Sequence, residues 1–157
     1  MKTKGENGME LPVRLRNRLE NYDYSQNGAY FITICTKNRA KILSRILPED
    51  ARVALLPYGK TVEFFILNVP EIVKYVVMPD HIHMIILLDG QQIPYEKKTA
   101  EIVRSIKTLV TKTIGVSIFQ RSYYDHIIRN REDFEQVWKY IENNPYKWAM
   151  IHLPAYR

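Results

Sequence analysis

One cysteine, Cys35, stands in 157 residues. A single thiol excludes an internal disulfide and a cysteine-built zinc site. Glycine is also scarce, at six residues, and no Gly-rich phosphate loop occurs. There is no nucleophile elbow, no paired-carboxylate motif, no internal repeat and no low-complexity tract. No apolar run approaches membrane-spanning length. Met1 to Glu10 is polar and charged and lacks the apolar core of a signal peptide. These absences lead to the expectation of a cytoplasmic protein with no membrane partner.

What is present is ordinary in bulk and uneven in charge. Hydrophobic residues make up 46% and charged residues 25%, as in a globular protein with a full core. The length fits one domain, taken as 1–157, with residues 1–20 as a partly flexible basic arm. Lys and Arg number 23 against 17 Asp and Glu, a net charge of +6. Such an excess favours a polyanionic partner, most often nucleic acid. The segment Val13 to Leu19 carries Arg14, Arg16 and Arg18. It reads equally as a solvated surface arm or as a clamp on phosphates.

Ala29 to Thr36 is rich in β-branched and aromatic residues after the turn signal Asn27-Gly28, and predicts a buried strand. Arg52 to Leu56 fits a strand or a short helix, and Thr61 to Asn68 a short helix stopped by Pro70. Ile72–Val77 and His81–Leu88, joined by Met78-Pro79-Asp80, predict an antiparallel hairpin, central and buried in its sheet. Ala100 to Ile114 is an amphipathic helix closed by Gly115. Its apolar stripe holds Ile102, Ile106, Leu109 and Val110, with Arg104 and Lys107 outside it. Ser122 to Arg129 predicts a strand. Asn130 caps a last long helix that runs to about Asn144, where Pro145 intervenes before another helical turn. The order is α+β. It matches a ferredoxin-like β-α-β-β-α-β antiparallel sheet with helices on one face.

Three groups can carry chemistry. His81 and His83 alternate with Ile82 on a strand, so both imidazoles point to one face and can converge on a cation. A pair of hydrogen-bonded histidines on a half-exposed strand has the same spacing. Tyr140 and Asn144 are four residues apart and share a helix face at the shoulder of the apolar stripe. By spacing alone Tyr140 is a packing residue, and Asn144 before Pro145 is an N-cap. In Tyr123-Tyr124-Asp125-His126, His126 is a ligand, a substrate contact or a core histidine.

Taken in order, several motifs resemble the REP-associated tyrosine transposases, relatives of the single-tyrosine HUH transposases. These are Tyr30-Phe31-Ile32-Thr33, Met78-Pro79-Asp80-His81-Ile82-His83, Tyr124-Asp125-His126 and Tyr140-Ile141-Glu142-Asn143-Asn144-Pro145. The similarity runs from about Arg14 to Trp148. It implies a ferredoxin-like core with an added C-terminal helix carrying the nucleophile, Tyr140. It implies His81 and His83 as metal ligands, with Asn144 completing the site where insertion-sequence relatives often have Gln. The family often has Asn before the first histidine, where this chain has Asp80, which with His126 is placed behind the ligands rather than among them.

The implied activity is nicking and rejoining of single-stranded DNA at hairpin-forming repeats, assisted by Mg²⁺ or Mn²⁺. Free tyrosine has a pKa near 10, so a cation that stabilises charge on the phosphate matters at neutral pH. Attack gives a 5′-phosphotyrosine link that conserves the phosphodiester for rejoining. Arg14, Arg16, Arg18, Lys37, Arg39, Arg104 and Lys107 become candidates for gripping the DNA. The implied partner is single-stranded or hairpin DNA, and the assembly a monomer or homodimer. The alternatives are a non-catalytic (domesticated) DNA-hairpin-binding protein of the same fold, and a metal hydrolase that uses water.

Overall fold

The strand expected after Asn27-Gly28 is the one around which the sheet is built. In the computed structural model, which describes residues 11 and 13–156, β1 covers Ala29–Cys35. It lies between β5 (His81–Leu87) and β6 (Tyr124–Ile127), and β4 (Ile72–Val77) pairs with the far side of β5. The sheet order is β4-β5-β1-β6, antiparallel throughout. With α2 (Pro57–Leu67) between β1 and β4, and α3 (Tyr95–Ile114) between β5 and β6, this is the ferredoxin-like arrangement. Both hairpin strands were expected to be central. Only β5 is; β4 is an edge strand and only partly buried.

The strand period of two divides the core. Ile82, Met84 and Ile86 of β5 join Tyr30, Ile32 and Ile34 of β1 beneath α2 and α3. Ile85, Leu87 and Ala29 face the opposite way. There they meet Phe134, Val137, Trp138 and Ile141 of α4 (Arg131–His152) and Leu15 and Leu19 of α1 (Val13–Glu20). Helices therefore cover both faces, not one: a sheet whose two central strands are apolar on both sides has to be sealed on both. The segment read as an arm supplies part of that seal over Val13–Glu20; residues 1–10 and 12 lie outside the described residues.

Helix ends follow local chemistry. Asn130 Oδ1 accepts the Asp133 backbone N–H at 2.7 Å, the cap expected of it. Gly115 ends α3 at φ 82°, where a side chain is disfavoured. The buried face of α3 holds Val103 beside Ile102, Ile106 and Val110, while Leu109 is largely exposed. Helix α3 also starts five residues earlier than periodicity indicated, at Tyr95.

The largest departure is at Pro145. Helix α4 runs straight through it for 22 residues. A proline inside a helix removes one backbone bond and costs about 3 kcal/mol. Here Ile141 and Asn144 are buried before it and Ala149 after it, so packing on both sides offsets that cost. A small hairpin, β2 (Ser44–Ile46) with β3 (Val53–Leu55), sits outside the main sheet. Its first strand is too short to show a period of its own.

Candidate active site

The α4-facing side of the sheet carries polar groups at one end. In β5, Ile85 and Leu87 face α4, and the same alternation places His83 and His81 next along that face. Both are buried, with ring centroids 4.5 Å apart. Register puts Thr33 of β1 opposite His83 and Cys35 opposite His81.

Each imidazole is held at Nδ1. Thr33 Oγ1 is 2.8 Å from His83 Nδ1, and Asp80 Oδ1 is 2.6 Å from His81 Nδ1. A carboxylate can only accept here, so His81 donates from Nδ1. The Asp80 carboxylate also takes the Arg39 guanidinium, Nε to Oδ2 at 3.2 Å and Nη2 to Oδ1 at 3.3 Å. Arg39 reaches it from a tight turn at Lys37–Arg39 in which Asn38 and Arg39 both have positive φ. Fixing Nδ1 turns Nε2 toward the cavity, where it could coordinate a metal.

Burial also keeps the rings neutral. The His83 pKa is pushed down to about 3, by desolvation first and then by His81 and Arg39. His81 is lowered as well, again by desolvation first, with Asp80 and a hydrogen bond to Asn144 pulling the other way. Neutral imidazoles are the form that binds metal.

Helix α4 supplies the rest. Asn144 is buried and its side chain reaches His81. It stands mid-helix, so the N-cap role that its position before Pro145 permits is not the one it plays. Tyr140, one turn earlier, is 43% exposed. Its ring lies 5.4 Å from that of His83 and 5.9 Å from that of Phe31, edge to face in both. Thr33, Arg39, both histidines, Tyr140 and Asn144 line one cavity of about 270 Å³, together with Lys147 and Trp148.

The remaining candidates fall elsewhere. His126 is exposed and bonds Asp133 at 2.8 Å, on the α4 side of the sheet but outside that cavity. Lys107 donates to three carbonyls, of Gln120, Arg121 and Ser122. With Lys37 it lines a second cavity, of about 380 Å³. Arg18 donates to the Leu87 carbonyl at 3.0 Å, Arg14 is exposed and Arg16 is half-buried, all on α1. Arg104 is exposed on α3, across the sheet from α1. The seven basic residues thus do not share one surface.

Sequence reasoning missed Thr33, because its role needs the β1–β5 register. It also missed Lys147, Trp148 and His152. The last two had a signal: 140, 144, 148 and 152 form one i, i+4 line, visible only if the helix is continued past Pro145.

Among the described residues no three His, Cys, Asp or Glu side chains converge on a common point. A cation here would take two imidazole nitrogens and the Asn144 amide oxygen, with room left for water or phosphate oxygens. That donor set fits a labile site of the Mg²⁺ or Mn²⁺ kind better than a closed structural one. No helix among the described residues is long and apolar enough to cross a membrane.

The chain is similar to known proteins. The family model described as "Transposase IS200 like" matches residues 24–144. An uncharacterized protein of Haemophilus influenzae is 33% identical over 165 residues, covering 87% of this chain and 90% of its own length. A REP-associated tyrosine transposase of Escherichia coli K12 is 29% identical over 129 residues, covering 82% and 72%. Among solved structures, a REP-associated tyrosine transposase bound to a REP hairpin superposes with TM-score 0.55 at 27% identity, covering 77% of this chain and 68% of that one.

Proposed function

Because the chain belongs to the IS200-like transposase family, we propose that it nicks and rejoins single-stranded DNA at hairpin-forming repeats, with Tyr140 as the nucleophile. The observation that carries this is the 5.4 Å approach of the Tyr140 ring to His83 within one chain. A nucleophile and a ligand pair from the same chain support an active centre that needs no partner subunit.

In this reading His81, His83 and Asn144 hold a divalent cation, Mg²⁺ or Mn²⁺. When bound, the cation supplies Lewis-acid polarisation of the scissile phosphate. Asp80 and Thr33 keep the two imidazoles turned toward it. Arg39 and Lys147 bring positive charge to the cavity where the phosphate enters. Phe31 limits how far the Tyr140 ring can swing by packing against its edge. The phenol oxygen attacks phosphorus and its proton passes to water, while the bond from phosphorus to the 3′ oxygen breaks and that oxygen takes a proton from water. The products are a 5′-phosphotyrosine and a free 3′-hydroxyl. A 3′-hydroxyl attacking that link reverses the step and frees Tyr140.

The test is a protein–DNA adduct on a denaturing gel after incubation with hairpin DNA carrying single-stranded flanks and Mg²⁺ or Mn²⁺. The native chain forms it and Tyr140→Phe does not. An adduct undiminished in Tyr140→Phe would overturn the choice of nucleophile. Salt-sensitive binding with no adduct would instead assign a non-catalytic hairpin-binding protein. Cleavage that survives Tyr140→Phe would assign a hydrolase that uses water.

A further inference from the structure

The cavity around Tyr140 continues along α4 past the phosphate-facing groups. Asn144, Trp148 and His152 follow Tyr140 at four-residue steps and line the same hollow. The Trp148 and His152 rings lie nearly parallel, at 19° with centroids 3.9 Å apart. His152 is exposed, and its Nδ1–H donates to the Trp148 carbonyl at 3.1 Å, which sets the ring's position over the indole. Trp148 is half-buried and packs into a small apolar cluster with Met78 and Ala149, so the platform has a fixed base. Lys41 Nζ stands 5.6 Å from the indole centroid. His81 is 6.3 Å from it, so the platform adjoins the ligand pair directly.

A flat aromatic stack, open on its outer side and flanked by lysine, is what an unpaired base takes. It suits every base, because each has a π-face, and it excludes a paired one, whose faces are already covered. We propose that Trp148 and His152 form a stacking subsite for one unpaired nucleobase next to the phosphate that Tyr140 attacks. The base continues the column as its third ring, on the solvent side of His152. Lys41 and Lys147 pair with the flanking phosphates. The subsite would then hold the single strand in register with Tyr140 and select against duplex DNA at the cut. This inference rests on the single-strand reading above.

The experiment uses the full chain carrying Tyr140→Phe, without metal, so that only non-covalent binding is read. A fluorescent hairpin oligonucleotide with single-stranded flanks is compared with versions carrying one abasic residue at successive flank positions. His152→Ala should weaken binding roughly five- to a hundredfold, the range for losing one stacked base. His152→Phe should restore most of it. One abasic position should produce a similar loss, and the two losses should not add, because they remove the same stacking interaction. Unchanged binding in His152→Ala, or losses that add at every position, would overturn the subsite. His152 is exposed near the helix end, so its replacement leaves the fold intact. The native chain's adduct assay keeps the two readings apart. An adduct with no effect of His152 removes the subsite only, stacking without an adduct removes the nuclease reading only, and no binding to any oligonucleotide removes both.

Discussion

Asp80 Oδ1 lies 2.6 Å from His81 Nδ1, and the same carboxylate is gripped by Arg39. His81 is thereby fixed in one tautomer before any ligand arrives. Replacing Asp80 by Ala should weaken Mn²⁺ affinity by about ten- to a hundredfold, the usual effect of removing such a partner. Asp80→Asn should lose less, since its amide oxygen still accepts from Nδ1–H. Titration calorimetry with the metal alone decides this, and equal affinities in all three proteins would remove Asp80 from the site.

Stability of the metal-free protein should fall with acidification. His83 has a pKa of about 3 in the folded chain against 6.5 when unfolded. Between those values the unfolded chain binds a proton that the folded chain does not. By linkage, stability contributed above pH 6.5 is lost as pH falls toward 3. His81, also lowered, acts in the same direction. Urea midpoints measured with chelator at several pH values should show the slope, and His83→Gln should flatten it.

Lys107 and Arg104 sit one turn apart on α3 and should behave differently. Lys107 satisfies three carbonyls of the loop before β6. Its replacement by Met should cost about 1.5–3 kcal/mol, the range for hydrogen bonds that involve a charged group. Arg104→Ala should stay within about 0.5 kcal/mol, as for ordinary surface changes. Chemical denaturation of the two variants checks both values.

DNA binding should depend on salt through whichever arginines meet phosphate. For a single strand, each phosphate left without its cationic partner should lower the slope of log affinity on log salt by about 0.7. Arg14→Ala tests this without disturbing the fold, because Arg14 is exposed. Arg18→Ala should also lower the melting temperature, since Arg18 ties α1 to the Leu87 carbonyl. An unchanged slope in Arg14→Ala would mean that DNA does not reach this position of α1.

The periodic parts of the fold were legible in the sequence. Alternation placed His81 and His83 on one face, and they are found there. The Asn130 cap and the Gly115 stop follow from local backbone chemistry alone. Misreadings arose where long-range packing outweighs local preference. Pro145 reads as a terminator, yet Ile141 and Ala149 are both buried and hold the helix through it. That one error shortened α4 and hid the line from Tyr140 to His152. The edge position of β4 and the Thr33–His83 pair depend on strand order and register, which no single segment encodes. The spread of basic residues over both faces was hidden for the same reason.

Strand β5 is buried along its whole length between two hydrogen-bonded neighbours. The hydrogen bonds of such a strand break only when the molecule as a whole unfolds. His81 and His83 therefore have the lifetime of the fold itself, and hydrogen exchange at their amides should report global unfolding. Tyr140 and Asn144 ride on a helix laid over the sheet, held by side-chain packing and not by ladder bonds. One half of the centre is as permanent as the protein, and the other is only as permanent as the docking of one helix.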